Sequence, residues 1–206
     1  FPYSLVNSKD YSEPVRDLTP SERQDFLADR FKWLEYYKFN FKGKWYTSFT
    51  DKLVLMSNAE FGFLGFYNDV IGYTPFERYY VGGDGQAVFQ LDGREIVGLR
   101  GYDNLRLSSQ TGGTIYNKFQ LELRFSISDA PTASIYALGF LEAGNSYDNF
   151  NTFNPFQVKR SAGVGARIFM PAFGLLGIDL GHGFDALPGE TEKSGWQTHF
   201  VIGRQF

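Results

Sequence analysis

The sequence predicts an all-β fold, in which the chain forms the carboxy-terminal strands of a larger transmembrane, antiparallel, up-and-down β-barrel. Three observations predict this class. Apolar and polar residues alternate with a period of two in several segments, and the connections between these segments alternate between short and long. Aromatic residues make up 18% of the chain and glycines number 23, as the aromatic girdles and tight turns of a barrel require.

The composition excludes several other functions. The 206 residues include no cysteine, which excludes disulfides, thiol catalysis and cysteine-bound metals. A net charge of -3 gives no footprint for a polyanion, so nucleic acid is not an expected partner. No apolar run reaches the roughly 18 residues of a membrane helix.

The sequence also gives no case for an enzyme. Its two histidines, His182 and His199, fall on different predicted strands and on opposite faces, which makes them a poor metal pair. The G-x-S-x-G turn that would expose a nucleophilic serine is absent from the sequence. Neither a metal nor another cofactor is therefore expected.

Residues 1–33 are predicted to form an outer loop that contains a short helix. The segment Thr-Pro-Ser-Glu at residues 19–22 is a capping-box start with proline at the first helical position. Phe26, Leu27 and Phe31 then supply one or two amphipathic turns.

Residues 34–206 are predicted to form the barrel wall. Seven strands are predicted, at residues 34–49, 53–66, 114–127, 132–143, 157–170, 173–184 and 196–206. In the first strand the odd positions include Phe39 and Trp45, whereas the even positions include Lys38 and Lys44. Lysine on the lipid face costs about 2–4 kcal/mol at the midplane of the bilayer, so the even face is predicted to point to the lumen.

The other strands follow this pattern with different clarity. The alternation is clearest in the third strand, where Leu121 and Leu123 oppose Glu122 and Arg124. It is ambiguous in the fourth strand, because Glu142 shares its parity with apolar residues. In the last three strands an apolar face opposes a polar face that is rich in glycine.

The connections differ in length between the two ends of the predicted sheet. Short links lie at 50–52, 128–131 and 171–172, and long links lie at 67–113, 144–156 and 185–195. Short periplasmic turns and long outer loops are typical of outer-membrane barrels. A soluble sandwich would also alternate, but its exposed face would be polar and its two ends would not differ so regularly.

The start of the chain leads to two further expectations. Bacterial single-chain barrels generally have an even number of strands, so the seven predicted strands imply further strands upstream of Phe1. Delivery to the outer membrane needs a signal peptide, so the chain is expected to be a processed or excised piece.

Two segments of the long link 67–113 carry a family resemblance. Residues 75–83 read Pro-Phe-Glu-Arg-Tyr-Tyr-Val-Gly-Gly, and residues 97–102 read Val-Gly-Leu-Arg-Gly-Tyr. Together with Ser-Ala-Gly-Val-Gly-Ala-Arg-Ile at 161–168 and Ile-Gly-Arg-Gln-Phe at 202–206, they resemble the outer-membrane assembly factor of the BamA type. The resemblance runs from about Tyr36 to the end, and it implies a barrel of roughly 16 strands with an inward-folding loop at 67–113.

The resemblance implies a loop-tip motif at Arg100, Gly101 and Tyr102, which would fold back into the lumen. A guanidinium buried there would need carboxylates, because an unpaired buried charge is costly. Glu122 and Glu142 are the candidates, since both lie on the lumen parity and the family carries acids at matching positions.

Hairpin counting favours Glu122 over Glu142 as the partner. If Ile127 pairs with Thr132, then Glu122 lies opposite Ala137, roughly 16 Å along the strand from Glu142. One arginine could not bridge both carboxylates in that register.

An alternative assignment of the same charges stays open at this point. Glu122 could pair with Lys118 or Arg124, which share its strand and its parity. Arg100 would then be a solvated loop charge.

The resemblance further implies a component of the machinery that folds and inserts outer-membrane proteins through a lateral seam. Phe200, Ile202 and Gly203 of the last strand would line that seam, and Phe206 would be a terminal recognition signal or a girdle aromatic. Arg204 departs from the apolar spacing of such signals.

The expected partners are unfolded outer-membrane proteins, accessory assembly lipoproteins and the lipid bilayer, in the outer membrane of a Gram-negative bacterium. The alternative is a polypeptide-secreting translocator or a porin-like transporter. The lysine-rich face of residues 36–48 would allow a polar channel of that kind.

Overall fold

The computed structural model describes residues 19–32, 34–69, 71–86, 94–130, 132–171 and 174–203. Within these ranges the order of elements is α1 (Pro20–Arg30), β1 (Tyr36–Thr50), β2 (Leu53–Phe66), β3 (Tyr79–Val81), β4 (Glu95–Val97), β5 (Ile115–Ala130), β6 (Ala133–Tyr147), a 3-10 turn (Phe150–Thr152), β7 (Lys159–Met170), β8 (Gly174–Ala186) and β9 (Lys193–Gly203). No helix in these ranges is long and apolar enough to cross a membrane.

Seven of the strands form one antiparallel sheet in the order β1-β2-β5-β6-β7-β8-β9. Each wall strand therefore pairs with the wall strand that precedes or follows it along the chain, as the up-and-down prediction requires. The seven predicted strands are confirmed over the described residues, and several extend further than the alternation indicated. Residues 204–206 of the last predicted strand lie outside the described residues. Strand β6 continues to Tyr147, because ladder hydrogen bonds run on through Gly144 and Asn145, where the alternation of apolar residues has ended.

The predicted register of the β5–β6 hairpin is wrong. Glu122 lies opposite Phe140, not opposite Ala137. Alternation of side chains cannot show that β5 continues to Ala130, nor that its pairing with β6 shifts at an irregularity before Ser128. Both features change which residues face each other across the hairpin.

The corrected register brings the two candidate glutamates together. Glu142 pairs with Gln120, which is on the same face of β5 as Glu122 and next to it on that face. Diagonal neighbours of this kind lie about 7–8 Å apart between Cα atoms. One arginine can therefore reach both carboxylates, contrary to the expectation from hairpin counting.

The two faces of the sheet differ sharply. One face, which we call the apolar face, carries large exposed hydrophobic side chains on every described wall strand except β2: Phe39, Phe41, Trp45, Phe119, Leu121, Leu123, Leu141, Val164, Ile178, Leu180, Trp196, Phe200 and Ile202. The opposite face, which we call the loop face, carries the polar residues and is covered by the connection between β2 and β5. An apolar face of this extent is suited to lipid.

Strand β6 shows why its parity was ambiguous. Leu138, Phe140 and Glu142 all lie on the loop face and are buried. This face of β6 is apolar because the connection packs on it, not because lipid covers it. A strand with apolar residues on both faces does not alternate.

The connection between β2 and β5 has a structure of its own. Strands β3 and β4 form a short parallel pair that packs against the loop face. A buried cluster joins this pair to the wall and consists of Leu64, Tyr79, Val81, Val97, Leu99, Tyr102, Leu107, Tyr116 and Leu187. Strands of three residues are too short for alternation to reveal, so the sequence did not predict them.

Polar contacts fix the connection to β1. Lys38 Nζ lies 2.8 Å from carboxylate oxygens of both Glu77 and Glu95. The Tyr79 hydroxyl donates to Asn40 Oδ1 at 2.6 Å. The lysine-rich face of β1 is therefore partly neutralised by the connection that covers it.

Helix α1 begins with the capping box that the sequence predicts. The Thr19 side chain accepts from the Glu22 backbone N–H, and the Glu22 carboxylate accepts from the Thr19 backbone N–H at 2.9 Å. Arg30 near the end of the helix donates to the Ile71 carbonyl at 2.9 Å, which ties α1 to the connection.

Candidate functional site

The tip of the connection, which we call the loop tip, is the turn Arg100-Gly101-Tyr102 that follows β4. Gly101 has a φ of 86°, a backbone conformation that glycine adopts without the steric cost that a β-carbon brings. The turn is buried on both sides, since Leu99 and Tyr102 are fully inaccessible to solvent. The Tyr102 hydroxyl donates to the Arg160 carbonyl at 2.6 Å and so holds the outgoing chain against β7.

Arg100 is the centre of a buried ion cluster. Its Nη2 lies 2.8 Å from Glu122 on β5 and 2.7 Å from Glu142 on β6. Its Nη1 lies 3.1 Å from Asp179 on β8. One loop residue is thus bound by carboxylates from three wall strands.

Glu142 makes the closest set of contacts with the tip. One carboxylate oxygen accepts from Arg100 Nε at 2.9 Å, and the other accepts from the Arg100 backbone N–H at 2.7 Å. Glu142 therefore fixes both the side chain and the backbone of Arg100. Hydrogen bonds to charged groups are roughly twice as strong as those between neutral groups, so this residue carries much of the docking.

Two further arginines balance the charge of the cluster. Arg124 Nε lies 2.8 Å from Glu122, and Arg167 donates to both oxygens of Asp179 at 2.6 Å. Three guanidinium groups and three carboxylates therefore neutralise one another in a cluster whose members are mostly buried. Such balance is required because an uncompensated buried charge is strongly destabilising.

The aromatic ring of Phe140 forms the floor of the cluster. The Arg100 guanidinium carbon lies 3.7 Å from the centroid of this ring. Burial disfavours the charged arginine, but Glu142, Glu122 and Asp179 outweigh that effect and raise the pKa of Arg100 above its ordinary value. Arg100 therefore stays charged in the docked loop.

The backbone of the tip is held as firmly as its side chains. The Gly101 N–H donates to His199 Nε2 at 2.9 Å, and Ser194 Oγ donates to the Gly101 carbonyl at 2.9 Å. Gly181 and Gly183 of β8 leave room for this backbone. A β-carbon on Gly181 would stand 2.8 Å from the Gly101 nitrogen, and one on Gly183 would overlap the Gly101 carbonyl oxygen.

The structure places Arg100, Gly101, Tyr102, Glu122 and Glu142 in one cluster. The alternative assignment of charges holds only in part: Glu122 does pair with Arg124, but it also binds Arg100, which is only 7% exposed and is not a solvated charge. Lys118 lies 4.0 Å from Glu142 and not beside Glu122.

The remaining predicted site residues lie on β9. Phe200 and Ile202 project from the apolar face and are 60% and 69% exposed, so they do not join the cluster. Gly203 is the last residue of β9. Phe206 and Arg204 lie outside the described residues.

The sequence did not predict several members of the site, among them Phe140, Arg167, Asp179, His199 and Ser194. Alternation places Arg167, Asp179 and His199 on the polar face of their strands, so the sequence predicts the face to which each side chain points. It does not predict that these side chains lie close together, because that depends on the register of three successive hairpins and on the path of the loop. Phe140 was hidden by the ambiguous parity of β6.

A cavity of about 340 Å³ lies beneath the docked tip. Its lining is polar and charged, and it includes Lys44, Lys118, Arg124 and Arg167. The space between the tip and the wall strands is therefore suited to water and ions.

An up-and-down antiparallel sheet with an apolar outer face and a loop docked on its polar face defines a membrane-barrel portion. The model of the Omp85 superfamily domain matches residues 24–206. The chain therefore belongs to the Omp85 superfamily, whose members are non-enzymatic barrels of outer membranes that assemble or translocate proteins. The family implies contact with the membrane and with substrate polypeptides. No curated protein matches the chain significantly.

Proposed function

We propose that the chain is the carboxy-terminal barrel part of a BamA-type assembly factor, which folds and inserts outer-membrane proteins through a lateral seam. Its place would be the outer membrane of a Gram-negative bacterium. The observation that carries this proposal is the docking of Arg100 against carboxylates from β5, β6 and β8.

The position of β9 supports the seam. Within the described sheet β9 pairs with β8 alone, and its other edge is therefore open to a further strand. An unpaired strand edge templates pairing with an incoming strand. Phe200 and Ile202 would keep such a strand at the level of the lipid, since both project from the apolar face. A signal at Phe206 and the accessory lipoproteins remain proposals from resemblance.

Site-specific crosslinking in cells tests the seam. Single cysteines at Thr198, Phe200 and Ile202 of the full-length protein are expected to form disulfide adducts with nascent outer-membrane proteins. Ile178 is the matched control, because it lies opposite Phe200 on the adjacent strand and projects from the same face. Substrate adducts at Ile178 as frequent as those on β9, or none on β9 in correctly localised protein, would contradict the seam.

A secretion barrel is the second candidate, and the observation that favours it is the lysine-bearing loop face of β1. Lys42 and Lys44 lie on the loop face, and Lys44 lines the cavity beneath the tip. A polypeptide translocator could use such a surface as part of its channel. Steady single-channel conductance together with unchanged assembly of porins after depletion would favour this candidate over the assembly factor.

A further inference from the structure

The loop makes two kinds of contact with the wall. The charged contacts of Arg100 go to β5, β6 and β8, whereas the contacts with β9 are hydrogen bonds between neutral groups. Charge-assisted bonds are roughly twice as strong as neutral ones. The loop is thus fixed strongly to the interior strands of the sheet and more weakly to its edge strand.

Among the described residues, three hydrogen bonds connect the loop with β9. His199 Nε2 accepts from the Gly101 N–H and Ser194 Oγ donates to the Gly101 carbonyl, each at 2.9 Å. Away from the tip, Gln86 Nε2 donates to the Phe200 carbonyl at 2.9 Å. Two separate points of the loop therefore hold an edge strand that has only β8 beside it in the described sheet.

His199 and Gly101 depend on each other for their polar contacts. His199 is 6% exposed, and its ring nitrogen is the acceptor for the Gly101 N–H. A buried donor that loses its acceptor bears the full cost of desolvation. Moving β9 away would leave the Gly101 N–H without this acceptor, and moving the tip away would leave His199 without its donor.

We infer that the docked loop tip is a latch on β9, with His199 as the positioning residue that joins them. Docking of the tip and retention of β9 are then coupled, and the coupling is reciprocal. Undocking the tip loosens β9, and displacing β9 loosens the tip. The role of the latch in substrate entry rests on the proposed function, in which β9 borders the seam, but the coupling itself does not.

Hydrogen exchange of the full-length protein in lipid vesicles tests the latch. His199→Leu keeps an apolar volume but removes the acceptor, and it is expected to speed amide exchange roughly 5- to 10-fold in both residues 98–102 and residues 196–203. His199→Gln can present its carbonyl oxygen to Gly101 and is expected to restore most of the protection. Gln197→Leu is the control, since Gln197 lies on the same face of β9 and the described residues show no hydrogen bond between it and the loop.

Two further variants keep the test decisive if His199→Leu does not fold. Ser194→Ala removes only the second contact with Gly101 and is expected to raise exchange in both segments to a smaller degree. Arg100→Ala undocks the tip from the other side and is expected to raise exchange in β9, with which the Arg100 side chain makes no hydrogen bond or ion pair in the described part of the chain. Faster exchange in one segment with the other unchanged would overturn the latch.

The result of the exchange experiment can be distinguished from a failure of the proposed function. Coupled exchange in a protein whose wild type folds no barrel faster than empty vesicles would support the latch and count against the assembly role. Coupled exchange in a His199→Leu variant that still assembles porins at the normal rate would support the latch and count against its part in substrate entry. Uncoupled exchange overturns the latch whatever the rate of porin assembly.

Discussion

Replacing Arg100 with alanine is expected to lower the free energy of unfolding of the full-length protein by about 3–5 kcal/mol, the cost of breaking a buried ion pair from one side. The loss of the guanidinium leaves the three carboxylates with different numbers of remaining partners. Glu122 keeps Arg124 and Asp179 keeps Arg167. Glu142 loses the Nε and Nη2 contacts of the arginine side chain, and among the described residues it keeps Lys118 at 4.0 Å and the backbone N–H of residue 100.

Unfolding by urea in lipid vesicles measures this loss, and cleavage of the loop by trypsin reports undocking. Arg106→Ala is the control, because Arg106 lies in the same connection but pairs with Glu190 at the exposed surface. Exposed pairs contribute about 0–1 kcal/mol. Arg100→Ala and Arg106→Ala of equal stability would show that the cluster does not hold the loop.

A double variant identifies the source of the loss. If the orphaned Glu142 causes most of it, Arg100→Ala combined with Glu142→Gln is expected to be less unstable than the sum of the two single changes. Residues in one ion-pair network commonly show interaction energies of about 0.5–3 kcal/mol. Strict additivity would show that the two residues act independently.

Replacing Gly183 with alanine is expected to displace the loop tip from its position against β8. The new methyl group would overlap the Gly101 carbonyl oxygen and also crowd Ser194 and Tyr102. Overpacking of this kind costs about 1–3 kcal/mol, and the displaced tip would lose part of its contacts with the carboxylates as well. Faster cleavage of the loop by trypsin and a lower urea midpoint are the expected results.

Gly139→Ala is the matched control for this change. Gly139 also lies in a wall strand, but a β-carbon there would meet only the Gly163 carbonyl oxygen, at 3.9 Å. Alanine at this position is therefore expected to leave the loop protected. Equal loop cleavage in the Gly183 and Gly139 variants would mean that the tip does not rest on β8 as described.

Much of the wall could be predicted from the sequence because lipid and loop impose opposite demands on the two faces of each strand. Leu121 and Glu122 are adjacent in the chain, yet one is exposed on the apolar face and the other is buried in the ion cluster. This difference in environment is visible in the sequence as the alternation of apolar and polar residues. The same rule failed in β6, where the loop supplies an apolar environment to Leu138 and Phe140.

The candidate site could be predicted only in part, because it depends on distances between strands. Alternation gives the face on which Asp179 or His199 lies, but it does not give the residue opposite. The β5–β6 hairpin shows the consequence: a longer strand and one irregularity moved Glu122 from Ala137 to Phe140. A small error in register thus decided whether Glu142 could reach Arg100.

The rate at which the full-length protein folds another barrel tests the central proposal most directly. A urea-unfolded outer-membrane protein is diluted into vesicles that contain either the wild type, Arg100→Ala or Arg106→Ala. The wild type and Arg106→Ala are expected to accelerate its folding over empty vesicles, and Arg100→Ala is expected to lose most of that acceleration. A wild-type protein that conducts ions steadily but folds no barrel faster than empty vesicles would contradict the assembly role.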